Sequence, residues 1–371
     1  MKRIIAAACA AALIFGAGSA LPQVQIARVS AEGVTASGDY EYIVLDDGTA
    51  ELINYYGSDT SVKLPDSING TKVTSIGSYM FFSNWNIKSV TISEGVKSIG
   101  ENAFACCDYL ESISIPKSVT EIGYAAFADT AWLKKQRQAD ALVTVNDILI
   151  DGKTCKGDIT IPDGVKEISI EAFFECEGIT TVTIPKSVER IGDSAFDSCG
   201  NLKGIIIKGA ANIGASAFED CESLTKADIQ SGVTSVEEYA FYGCKSLKSV
   251  TIPKSVKEIG EYAFGYYDDG EGGTGKAGSF TIKGVKGTAA ETYAKDNGFT
   301  FEQVEETSIK GDVNADGAIN MADLTRLQQY LAEWEVTIDE NAAEVTGDGK
   351  IGMADLTRLQ QYLAEWEVTL G

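Results

Sequence analysis

Histidine is missing from all 371 residues of this chain. Its absence excludes His-dependent triads, His-ligated zinc and imidazole acid–base chemistry. An enzyme here would have to work with carboxylates, Lys, Tyr or Cys alone. Long apolar runs are also scarce: beyond the first 31 residues, no segment reads as a membrane span. Positive charge is in deficit, with 31 Lys and Arg against 54 Asp and Glu, a net charge of −23. A chain this acidic repels nucleic acid and anionic membranes, and it suits calcium or cationic surfaces. Of eight cysteines, Cys9 lies in the apolar N-terminal run, which leaves an odd number and excludes a complete disulfide framework.

The first residues, "MKRIIAAACAAALIFGAGSA", place Lys2 and Arg3 before an apolar run from Ile4 to Phe15. The run is too short to span a bilayer, and small residues follow it, so it reads as a secretory signal. Cleavage is expected after Ala20 or Ala31, and Ala31 is taken as the boundary. Cys9 sits inside the run, which argues against a lipoprotein anchor. The mature chain is expected to be extracellular, on a cell surface or in a free complex.

The dominant pattern is a repeat. Ala-Phe recurs at 103–104, 126–127, 172–173, 195–196, 217–218, 240–241 and 263–264, with Met80-Phe81 in the same slot. The spacing is 22 or 23 residues, apart from one doubled interval. The segment "AFYGCKSLKSVTIPKSVKEIGEYAF" (240–264) shows the unit most clearly. A β-branched triplet such as Val250-Thr251-Ile252 makes a short strand, Pro253 stops it, and Gly260 permits the bend back. One such turn cannot bury its own apolar positions, but stacked copies share a core. The expected fold class is an α/β, β-rich solenoid of about nine turns of 23 residues, followed by a small all-α module. "YEYIVLDDGTAELINYY" (40–56) reads as a capping hairpin around Asp47-Gly48. "GTAAETYAKDNGFTFEQV" (287–304) reads as a short helix stopped at Gly298, then a closing strand. Residues 131–158 interrupt the repeat and are expected to form a hairpin around Asn146-Asp147. The recurring "IPxSVxxIGxxAFxxC" closely resembles the BspA-like branch of leucine-rich repeats over residues 40–302. That resemblance implies a binding or scaffolding surface rather than a reaction.

Three features invite sharper readings. Cys107, Cys176, Cys199, Cys221 and Cys244 each follow a repeat phenylalanine by three residues. Strung along a stack, they read as small buried hydrophobes and not as a metal cluster. "GEGGTGK" (270–276) matches the opening of a phosphate loop, but Ala277 stands where Ser or Thr would hold magnesium and no helix follows. It reads as a flexible loop inserted in the last repeat. No Asp or Glu pair in the repeats stands out as a glycosidase pair.

The tail is different. "DVNADGAINMAD" (312–323) puts oxygen-bearing side chains at Asp312, Asn314, Asp316, Asn320 and Asp323, with Gly317 at the bend and the Ala318 carbonyl beside it. That spacing serves a hard cation wanting six to eight oxygens, so calcium is expected. "EVTGDGKIGMAD" (344–355) keeps the frame with Glu344, Thr346, Asp348, the Lys350 carbonyl and Asp355, and with Gly352 supplying no side chain. A second, weaker calcium site is expected there. After each loop stands the same seventeen-residue stretch, "MADLTRLQQYLAEWEVT", at 321–337 and 353–369. Leu324, Leu327, Leu331 and Trp334, and in the second copy Leu356, Leu359, Leu363 and Trp366, are expected on one helix face.

Two EF-hand-like loops each followed by a helix, duplicated in tandem, look like a type I dockerin over residues 311–370. The resemblance implies docking onto a cohesin module of a cellulosome scaffoldin. It implies contact through Met321, Ala322, Gln328 and Gln329, and through Met353, Ala354, Gln360 and Gln361. Better-known dockerins often carry Ser-Thr and basic residues there, so the cohesin recognised is open. Two identical helices would present the same docking surface twice. The expected layout is a signal peptide at 1–31, solenoid at 32–304, linker at 305–310 and dockerin at 311–371. The resulting reading is a non-catalytic cellulosome component whose solenoid binds a second partner, protein or polysaccharide. The alternative is a plant-wall polysaccharide hydrolase, or a peptidase or inhibitor subunit, of the same complex.

Overall fold

The computed structural model describes residues 33–210, 212–304, 310–314, 319–364 and 369–370. The leader expected at 1–31 and linker residues 305–309 lie outside the described residues, as do Asp316, Ala318 and Trp366. No helix among the described residues is long and apolar enough to cross a membrane.

The repeat folds into a β-solenoid of about eleven turns. This exceeds the expected nine because rungs are also laid outside the Ala-Phe slots: Ala50–Tyr55 pairs in parallel with Thr71–Ile76, Ile148–Asp151 with Glu167–Ile168, and Thr300–Gln303 with Thr281–Gly284. Each turn supplies two strands, although the β-branched triplet announces only one. The first is the triplet itself, as in Ile179–Ile184, Gly204–Ile207 and Lys226–Ile229. The second is a two-residue rung just before the repeat glycine, as in Glu167–Ile168, Arg190–Ile191 and Asn212–Ile213. Both kinds form parallel ladders, with Ile205 beside Val182 and Ile191 beside Ile168. Alternation along the triplet sends Val182 and Ile184 inward and leaves Thr181 exposed.

The repeat phenylalanines are the spine of the core. Phe81, Phe104 and Phe127 stack in one block, and Phe173, Phe196, Phe218, Phe241 and Phe264 in another. Successive rings lie 4.5–5.7 Å apart and within 14° of parallel. Burying each ring stabilises the fold by about 2–3 kcal/mol, and the stacking adds roughly 0.5–1.5 kcal/mol per pair. The cysteine slot does more than fill space. The thiols of Cys107, Cys199, Cys221 and Cys244 donate to the carbonyls of Phe81, Phe173, Phe196 and Phe218 at 3.0–3.2 Å. Each thiol thus adds a second donor to a carbonyl of the preceding turn that already accepts a backbone N–H.

The repeat glycine is needed for closeness and not for a special backbone angle. A Cβ at Gly260 would fall 2.2 Å from the Glu238 backbone nitrogen. Left-handed backbone occurs instead at non-glycine residues before the Ala-Phe pair: Glu171, Ser194, Ser216, Tyr239 and Tyr262 have φ between 51° and 58°.

The interruption divides the buried core into two clusters. It contains the expected hairpin, Val143–Val145 with Ile148–Asp151, turning at Asn146 with φ 55°. A helix not foreseen from sequence precedes it: α1, Ala131–Ala139. Thr130 caps α1 by accepting the Leu133 N–H at 3.0 Å. Trp132 on α1 takes over from the phenylalanine stack, 4.8 Å from Phe127.

At the N-terminal end, Tyr40–Val44 and Ala50–Tyr55 form an antiparallel hairpin. At the other end, α2 (Ala289–Asp296) precedes Gly298 at φ 60°, and Thr300–Gln303 closes the ladder against Thr281–Gly284. The segment 270–276 is no flexible loop. It belongs to a hairpin, Tyr266–Asp268 with Thr274–Lys276. Asp269 accepts the N–H groups of Glu271 and Gly273, and Lys276 donates to the Gly298 carbonyl at 3.0 Å. The lysine that a phosphate loop would need is committed to the fold.

Among its described residues the tail holds three helices: α3 (Met321–Leu331), α4 (Glu340–Ala343) and α5 (Met353–Leu363). α3 and α5 bury Leu324, Leu327, Leu356 and Leu359 in a core shared with Val313, Ala343 and Val345. Trp334 departs from its expected place on the leucine face. α3 ends at Leu331, Glu333 turns left-handed at φ 58°, and the Trp334 side chain is 61% exposed.

Candidate metal loops and docking face

Each expected loop is tied to its following helix by the aspartate at its twelfth position. Asp323, fully buried, accepts the N–H of Asn314 at 3.0 Å and that of Asn320 at 2.8 Å. Asn320 in turn caps α3, its side-chain oxygen accepting the Ala322 N–H at 2.7 Å. Asp312 is buried beside Val313. Asp316 and Ala318 lie outside the described residues.

The second loop repeats the arrangement in full view. Asp355, also fully buried, accepts from the backbone of Val345, Thr346 and Gly352 at 2.9–3.0 Å. Thr346 Oγ1 stands 3.0 Å from the Asp355 carboxylate and 3.3 Å from that of Glu344, so three side-chain oxygens converge. One Glu344 oxygen accepts the Asp348 N–H at 3.0 Å, wrapping the loop around it. Asp348 closes a local turn onto the Lys350 N–H at 2.8 Å. Gly347 and Gly349 take φ near 80°, which lets the loop double back where a side chain would be strained.

Lys310 is a participant that spacing could not reveal, since it lies 34 positions from its partner. Its ammonium reaches the Glu344 carboxylate at 3.2 Å. Burial opposes ionisation of Glu344, but the Lys310 ammonium and the N–H groups of Gly347 and Asp348 outweigh it and hold the carboxyl below its ordinary value. Asp339 was also missed. It caps α4 through the Ala342 N–H at 3.0 Å and pairs with Lys254 of the solenoid at 3.2 Å.

The donor set is wholly oxygen: carboxylates, a hydroxyl and carbonyls. That suits a hard cation such as calcium. Among the described residues no group of three or more Asp, Glu, His or Cys side chains is arranged to hold a metal by itself. The second loop's oxygens therefore fit calcium only as a mixed set that includes Thr346 and a backbone carbonyl.

The eight residues implied as docking contacts are all accessible. Met321 and Met353 are 62% and 66% exposed, large apolar side chains held out from the tail core. Ala322, Ala354, Gln328 and Gln360 are exposed, and Gln329 and Gln361 are half-buried. Both copies carry these residues on an eleven-residue helix of identical sequence.

A stack of parallel rungs followed by a small tail of two loop–helix units defines a solenoid repeat protein with an appended helical module. The family models agree. BspA type leucine rich repeat region matches residues 50–154 and 150–269 in six copies, and Dockerin type I domain matches residues 310–364. The chain belongs to the BspA type leucine-rich-repeat family and carries a type I dockerin domain at its C-terminal end. Both are non-catalytic module types, and type I dockerin domains bind calcium. No curated protein matches the chain. Similar solved structures include a leucine-rich cell surface protein from Faecalibacterium prausnitzii, 20% identical, covering 71% of this chain and 98% of its own, with a TM-score of 0.36. A Treponema (T. pallidum) leucine-rich repeat protein is 23% identical over 57% of this chain and 90% of its own, at 0.33. One from Bacteroides ovatus is 19% identical over 73% and 100%, at 0.31.

Proposed function

We propose that this chain is a secreted, non-catalytic component of a cellulosome-type complex. Its dockerin, residues 311–371, docks onto a scaffoldin cohesin, and its solenoid, residues 32–304, presents a surface to a second partner across the linker at 305–310. The observation that supports this most is the pair of identical helices, each with an exposed methionine and two glutamines beside a buried, loop-fastening aspartate.

Asp312, Asn314, Asp316, Asn320, Asp323 and the Ala318 carbonyl would hold calcium in the first loop. Glu344, Thr346, Asp348, Asp355 and the Lys350 carbonyl would hold it, more weakly, in the second. Bound there, calcium would supply positive charge at the centre of each loop, in the second loop beside the Lys310 ammonium already on Glu344. The chain's own contribution is to fix the helices: Asp323 and Asp355 pin each loop to the first turn of its helix, and the leucines lock α3 against α5. A module with so small a core depends on such fastening. The test is binding of the full chain to a panel of cohesins in millimolar calcium and again with chelator. Tight binding lost on chelation supports the proposal, and binding to none of them overturns it.

A further inference from the structure

The solenoid's exposed large apolar side chains are confined to its first turns. Val44, Tyr56, Tyr79, Phe82, Trp85 and Tyr109 stand out from the surface, and among the described residues from 110 to 304 no other large apolar side chain does. Five of the six are aromatic. Tyr79 and Phe82 meet edge to face at 5.6 Å. A groove of about 360 Å³ passes Phe82, lined by Tyr55, Phe82, Ser83, Asn84, Trp85 and Asn86 among others. The stacked Phe81 and Phe104 rings and the Ser89–Ser112 pairing carry one constant register across this segment. Tyr109 therefore stands one rung from Asn86, next to the Trp85 position.

The loop is held in place. Asn84 Oδ1 accepts the N–H groups of Asn86 and Ile87 at 3.0 and 3.2 Å, and the Ser83 N–H donates to the Ala105 carbonyl at 2.9 Å. Trp85 is 62% exposed on this fixed turn, so little ordering cost remains for a ligand that covers it. Monomeric proteins seldom expose clustered aromatic rings without a partner.

We propose that this groove binds a neutral polysaccharide chain, its sugar faces lying on Trp85 and the neighbouring rings and its hydroxyls meeting the side-chain amides of Asn84 and Asn86. The proposal rests on the reading of the solenoid as the ligand-displaying half. Electrostatics select the ligand class. No Lys or Arg lines the groove to meet an acidic polymer, and the chain's net charge of −23 repels one. No carboxylate lines it to meet a basic peptide either, and on the neighbouring rung Asp108, beside the Trp85 position, is paired with Lys134 at 3.6 Å and so offers no net charge. Flat apolar faces edged by hydroxyl and amide groups match a neutral sugar, which is apolar on its ring faces and rich in hydroxyls at its rim.

The test is isothermal titration of the full chain with cellohexaose, mannohexaose and xylohexaose, with polygalacturonate as the anionic control, in calcium and in chelator. At least one neutral oligosaccharide should bind in both conditions. Trp85→Ala should weaken that binding at least tenfold, and Tyr109→Ala should weaken it less, with circular dichroism and cohesin binding unchanged. Failure of all three neutral probes, undiminished binding by Trp85→Ala, or preference for polygalacturonate would overturn the groove. Cohesin binding of the same samples keeps the two readings apart: docking without sugar binding refutes only the groove, and sugar binding without docking refutes only the anchor.

Discussion

Cys107, Cys199, Cys221 and Cys244 show how one residue type can serve a stack: each is small enough for the core and still donates to a carbonyl of the turn before. Burial pushes the Cys107 and Cys155 thiols up to about 12, so they stay protonated and unreactive at neutral pH. Among the seven thiols, Cys106 alone is not buried. A thiol reagent at pH 8 should therefore modify Cys106 quickly in the folded chain lacking residues 1–31 and reach the others only in denaturant. Fast modification of a second thiol would show that the slot is open. Asp197 is the opposite case, a carboxylate that the fold disfavours. Burial, then repulsion from Glu219 and Asp220, raises it from 3.8 to about 6. The folded chain binds this proton more tightly than the unfolded chain, so the ionised form costs stability. The cost grows between pH 3.8 and about 6 and is constant above. Asp197→Asn should stabilise the protein at pH 7 by about 1 kcal/mol after solvent screening, and by nothing near pH 3.5. Urea unfolding at the two pH values checks this, and an equal gain at both would refute it.

At the scale of elements, the repeat was legible wherever the sequence marks it with bulky or β-branched residues. The triplet strands, the phenylalanine slot and both end caps could be read that way. The second rung of each turn could not, because two residues such as Glu167-Ile168 carry no period. The left-handed position before each Ala-Phe pair is equally silent, since residues as different as Glu171, Ser194 and Tyr239 occupy it. Helix α1 has its own signal in Thr130 and the helix-forming run after it, which the repeat pattern does not contain. In the tail, oxygen donors at alternate positions announced both loops, whereas Lys310 and Asp339 act across chain distances that spacing does not record. One tightly constrained position lies at the seam between the two core blocks. A Cβ at Gly152 would come within 2.0 Å of the Phe173 ring, which heads the second stack. Gly152→Ala should cost about 2 kcal/mol by forcing that ring off its rotamer. Thermal unfolding measures it, and a loss under about 0.5 kcal/mol would mean the seam can yield.

For the whole molecule, the duplicated helix matters more than any single contact. If docking runs through these helices as proposed, two surfaces of the same sequence offer a partner two ways to dock, and the energies of the two ways differ only through what surrounds each helix. Those surroundings do differ. The first helix is capped by the Asn320 side chain, the second begins at Gly352, and the second loop carries Lys310 on its first carboxylate. Met321→Asp with Gln328→Glu should therefore leave cohesin binding within about threefold of the unaltered chain, as should Met353→Asp with Gln360→Glu, because either surface suffices. Combining all four should reduce binding at least a hundredfold, a non-additive result, since the last competent surface is then gone. The helices should stay folded, as every altered side chain is exposed. If one pair alone abolishes binding, the copies are not equivalent, and the difference between the two loops becomes the reason to examine.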